Sequence, residues 1–228
     1  MSDWLKEEGS LDASALLAPA KAFRSDPRRG GAPELRHNLA VFITPLIVRE
    51  TGKWFGDAEL RLDALVVHGG GDDTTLYHPQ TFRFPRVADG DDLAGDERGL
   101  LIYLGRPAHF LTFSLMLARD RKDSDDLSQL LQASARSSEF ESATAALAGA
   151  ALPSAEAAAL QTGLRAALAL GDLAYKLIRE VSPRCLGLFR ASWLAEKDRF
   201  GVGRHPRSGA HEVKDFRMGY RIELDRAR

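Results

Sequence analysis

The sequence predicts a mainly β domain of the α+β class: an antiparallel β-sandwich with an α-helical hairpin inserted at about residues 127–182. Short apolar runs follow one another between Leu39 and Leu117, separated by turn-forming residues, which is the spacing of an antiparallel β domain. After Asp126 the hydrophobic period lengthens from two to about three and a half, the period of a helix face. Alternation then returns over Lys214 to Leu224, so strands flank the helical segment on both sides.

Taken in order, residues 10–23 could form one short helix with Ser10 as N-cap, although Pro19 disfavours the helical region at Ala18. The Pro- and Gly-dense run from Ser25 to Pro33 reads as a linker, which makes residues 1–34 an appendage and 35–228 the sandwich domain. Strands are expected over Ala40 to Val48, Leu60 to Val67, Thr81 to Arg86, Leu100 to Leu104 and Phe110 to Ala118. Pro45 cannot donate to a ladder, so it marks an edge or a bulge. Leu111, Phe113, Leu115 and Leu117 share one face of their strand.

Leu127 to Leu152 reads as one helix closed by Pro153. A second helix opens at Ser154, with Glu156 in its first turn, where the helix dipole favours a carboxylate. Leu160, Leu164, Ala167, Gly171, Ala174, Ile178 and Val181 form its apolar stripe, and it ends before Pro183. Gly187 to Leu194 returns to strand. In the last strand Phe216, Met218, Tyr220, Ile222 and Leu224 face one way, and Asp215, Arg217, Arg221 and Glu223 the other, so its sheet should have one wet face.

The 228 residues are 44% hydrophobic, enough to supply a core, with 31 basic against 32 acidic side chains. That balance gives no global field for polyanions, so nucleic acid is not an expected partner. The single cysteine, Cys185, cannot form an intramolecular disulfide and reads as a packed residue, which favours a cytoplasmic setting. The chain start lacks the basic and apolar regions of a secretory signal, and no stretch reads as a membrane span.

Several clusters carry chemistry. Arg199, Arg204, His205 and Arg207 stand in a glycine-rich loop whose amides and guanidinium forks could receive an anion or a partner carboxylate. Asp89, Asp91, Asp92, Asp96 and Glu97 form a glycine-broken acidic loop that reads as a hairpin tip. His205 and His211 could converge with His68 or His78, and a metal-dependent hydrolase would use the first two with Asp120 or Asp89. Gly69 to Gly71 lacks the Lys and the following helix of a phosphate loop.

The segment Glu50-Thr-Gly-Lys-Trp-Phe-Gly-Asp-Ala-Glu-Leu60 and the strand and acidic loop Phe110 to Asp126 resemble the first loop and the later acidic loop of a C2 domain. The resemblance covers residues 39–131 at most. It implies a C2-like sandwich that docks anionic lipid through calcium, or a calcium-free protein-binding descendant, with Asp57, Asp120 and Asp126 as the calcium carboxylates. Arg119, Arg121 and Lys122 depart from the pattern by crowding the loop with positive charge, and hard cations need several converging oxygens.

No enzyme constellation is legible, and no cofactor is expected. The function expected is a non-catalytic binding module that docks a partner protein or, peripherally, a membrane surface through its strand-end loops. A structural or accessory subunit of a multiprotein assembly, including a homo-oligomer, is the alternative, and the metal-dependent hydrolase the second.

Overall fold

In a computed structural model, residues 5–9, 38–70, 75–152 and 157–225 are described. The readings for residues 10–23, 25–33, Pro153, Ser154 and Glu156 lie outside them. Ten strands are found there: β1 (Leu5–Gly9), β2 (Asn38–Val48), β3 (Ala58–His68), β4 (Tyr77–Val87), β5 (Leu100–Gly105), β6 (Phe110–Arg119), β7 (Cys185–Leu194), β8 (Gly203–His205), β9 (His211–Val213) and β10 (Phe216–Asp225). The helices are α1 (Leu127–Ala133), α2 (Ser138–Ala150), α3 (Ala157–Val181) and the single turn α4 (Ala195–Asp198).

The strands make two five-stranded sheets, one ordered β1-β7-β6-β3-β4 and the other β5-β2-β10-β8, with β9 also on β10. All pairings are antiparallel except β1 on β7, so part of the expected appendage joins the first sheet as a parallel edge. Side chains alternate across each strand, so one set from each sheet meets in the sandwich core. Leu62, Val66, Phe113, Leu115 and Phe189 there pack with Val41, Ile43, Met218, Tyr220 and Ile222. The coarse α+β sandwich is therefore present, as a generic two-sheet fold with a helical insertion.

The other face of the first sheet is also covered. Leu65, Val67, Phe110, Met116 and Leu188 lie beneath Leu127, Phe140, Leu147, Leu164, Leu170 and Ile178 of the helices. The architecture has three layers: helices, first sheet, second sheet. β6 is buried on both faces, with Leu111, Phe113, Leu115 and Leu117 in the sandwich core as their alternation predicts.

The helical region is three helices rather than a two-helix hairpin. The single helix expected over Leu127 to Leu152 breaks after Ala133, where Ser134 and Ser137 turn the chain. Ser137 then caps α2, its hydroxyl accepting from the Phe140 amide at 3.2 Å. A local serine cap competes with continuation of the helix, and here the cap wins. α3 carries the expected stripe, with Leu164, Ala167, Gly171, Ala174 and Ile178 buried.

Pro45 lies within β2, at the bulge where the β10 register shifts between Met218 and Tyr220. Gly219 is the residue opposite, and a Cβ there would stand 2.9 Å from the Thr44 carbonyl oxygen. The last strand alternates as expected through Ile222, while Leu224 is exposed near its end.

Candidate functional site

The β2–β3 loop is anchored at its base and bare at its tip. The Arg49 and Glu50 amides donate to the Asp215 carbonyl at 2.8 and 3.1 Å, and the Thr51 amide donates to Asp89 Oδ1 at 2.7 Å. Arg184, just before β7, bridges the Glu50 and Asp215 carboxylates at 3.1 and 3.0 Å. The Asp215 hydrogen bond, with Glu50 adding to it, holds the Arg184 guanidinium above its ordinary value against the cost of burial. Lys53 Nζ donates to the Asp57 carbonyl and so closes the loop on itself.

Gly52 makes room for that base. Its φ is +71°, and a Cβ there would lie 2.0 Å from Arg184 Nη1. Gly52→Ala is expected to lower stability by about 1–3 kcal/mol, from left-handed backbone strain and the displaced guanidinium. Thermal unfolding beside Gly56→Ala checks this, because Gly56 shares the positive φ but has nothing near its Cβ.

Beyond this base stand Trp54 and Phe55, 93% and 88% exposed. Large aromatics normally dominate cores, and two adjacent ones left in water at a loop tip have no folding role to explain them. Lys53 beside them makes no ion pair among the described residues. Asp57, the first of the candidate calcium carboxylates, is exposed where the loop returns to β3.

The other two carboxylates, Asp120 and Asp126, are brought together by Arg83. Its guanidinium bonds Asp120 and, at 2.7 Å, Asp126, while Ser124 Oγ donates to Asp120 at 2.9 Å. Arg61, wholly buried, reaches the same loop through Ser124 Oγ and the Asp125 carbonyl at 2.8 and 3.0 Å. Its remaining nitrogens hold the buried Asp63 carboxylate bidentately, both at 2.7 Å. Burial pushes the Asp63 carboxyl up from its ordinary value, against the opposing pull of Arg61 and of the Thr81 hydroxyl. Two of the three candidate carboxylates, Asp120 and Asp126, are thus held by guanidinium groups, and the acidic loop is a clasp on the sheet.

The second acidic loop also works on backbone. Asp89 takes the Thr51 amide, Asp92 those of Leu46 and Ala94, and Asp96 those of Arg98 and Gly99. These carboxylates satisfy turn donors rather than merely solubilising a tip.

The glycine-rich loop presents Arg199, Arg204 and Arg207 to solvent, but His205 turns inward. His205 Nε2 donates to the Gly201 carbonyl at 2.6 Å, and its ring stacks on Tyr220 at 4.8 Å. His211 lies on the same Tyr220 ring at 6.1 Å. His68 and His78 pair with each other instead, Nε2 to Nε2 at 3.1 Å. A carbonyl only accepts, so His68 Nδ1, 2.8 Å from the Gly70 oxygen, carries a proton, and with both rings neutral His78 Nε2 donates to His68 Nε2. That is a hydrogen bond between rings, not two lone pairs converging on a metal. No group of three or more His, Cys, Asp or Glu converges as a metal site among the described residues.

Cys185 is half-buried, its thiol pushed up by burial, as for a packed residue. No helix among the described residues is long and apolar enough to cross a membrane. The aromatic pair is what sequence reasoning misses; its signal is Trp54-Phe55 set between Gly52 and Gly56. No protein-family model matches the chain, and neither does a curated protein or a solved structure.

Proposed function

We propose that the protein is a non-catalytic binding module that docks an apolar surface through the tip of its β2–β3 loop, with Trp54 and Phe55 as anchors. The observation that carries this reading is the near-complete exposure of two adjacent aromatic rings on a loop whose base is clamped. Aromatic anchors supply most of the energy of many interfaces, and a loop already ordered loses little freedom on binding. The strand-end position matters too, because the sandwich acts as a rigid mount for the loop.

The test replaces Phe55 with a photoreactive benzoyl-phenylalanine in cells that express the protein. Irradiation is expected to give an adduct, with lipid or with a discrete protein, that the same replacement at Glu223, exposed on the second sheet, does not give. Equal labelling from both positions, or none, would remove the reading.

A further inference from the structure

We infer that the apolar surface taken by this loop is a phospholipid bilayer interface, which rests on the docking reading above and narrows it. The two rings alone fall short of the area of a stable protein contact. Two aromatic side chains supply about 300–500 Å² together, whereas a stable protein interface takes about 800 Å² from each partner. Lys53 and Gly56 flank the pair in the chain, so no adjacent apolar side chain widens the patch. A bilayer needs no shape-matched pocket, and Trp suits its boundary, with an apolar body and one N–H for the wet side.

The charges beside the rings are nearly balanced. Arg49 is paired with Glu212, and Arg184 with Glu50 and Asp215, which leaves Lys53 and Asp57 on the tip itself. Lys53 favours lipid phosphates and Asp57 opposes them, so insertion is driven by the rings. Zwitterionic lipid suffices. Calcium is not required, because Arg83 already occupies Asp120 and Asp126.

Flotation of the full chain with phosphatidylcholine vesicles, in chelator, tests this. The protein is expected to float with the vesicles. Trp54→Ala and Phe55→Ala should each weaken partitioning about ten-fold or more, the equivalent of burying one large apolar side chain. Leu104→Ala, on the exposed face of the second sheet, should leave it unchanged, and all three variants should keep the parent unfolding temperature. Protein that stays at the bottom of the gradient, or a double Trp54→Ala, Phe55→Ala variant that floats like the parent, overturns the bilayer assignment. If flotation fails while the probe at position 55 captures a discrete protein, docking stands and the bilayer falls. If both fail, both fall.

Discussion

Arg61→Ala is expected to lower folding stability by about 3–5 kcal/mol in chemical denaturation, because it strands a carboxylate inside the protein. Arg61 and Asp63 are both fully buried, side by side beneath the helical layer, and joined by two hydrogen bonds of 2.7 Å. Removing the cation leaves Asp63 with the Thr81 hydroxyl at 2.6 Å as its remaining side-chain donor. The loss has a pH signature. Without Arg61 the Asp63 carboxyl rises further above its ordinary 3.8, so the folded variant holds a proton that the unfolded chain has released. The penalty is fully present above that raised value and is relieved as the pH falls through it. The gap between parent and variant should therefore be widest at neutral pH and narrow on acidification, and a gap independent of pH would show that Asp63 is not the cause. Arg61→Met with Asp63→Leu should recover most of the loss, since apolar residues of similar size often replace a buried pair without penalty.

Phe113→Ala should cost about 3–5 kcal/mol by the same measurement, through the cavity it leaves. Phe113 is fully buried in the middle strand of the first sheet and meets Tyr220 of the second edge to face, at 4.9 Å between ring centres. Phe189 of β7 lies 6.2 Å away on the same side. The ring thus bridges the two sheets at the centre of the sandwich. Phe113→Leu, which keeps most of the volume, should lose markedly less. Equal losses from both would mean that the aromatic contact, not the filled space, is what matters there.

Much of the β fold is legible from period alone. The alternation of Leu111, Phe113, Leu115 and Leu117 placed one face of β6 correctly. The other face was legible too. Phe110, Met116 and Ala118 make the run almost continuously apolar, as in a strand covered on both sides, and the helices are the cover. The break after Ala133 was not legible, because the apolar period runs through it and a four-residue serine turn decides the outcome. The ion pairs of the acidic loop are not legible for a different reason. Its partners, Arg61 and Arg83, stand 59 and 37 residues from Asp120 in the chain, and only the β3–β4 and β3–β6 registers bring them to it. Trp54 and Phe55 are the reverse case. The residues are plain in the sequence, but large aromatics are usually buried, so their exposure becomes visible only with the fold.

The helical layer leaves the sheet at the end of β6 and returns at β7, and those strands are neighbours, with Ala118 opposite Cys185. Topologically, everything from α1 to α3 is therefore one wide hairpin turn. Its entrance and exit are fixed a strand spacing apart whatever lies between, and each doubling of such a loop adds only about 0.6 kcal/mol of closure entropy. The span of this excursion is thus free to drift. Its underside is not, because Phe110, Met116 and Leu188 would otherwise form a sticky outer wall, and that requirement has to be met by whatever chain bridges the two strands.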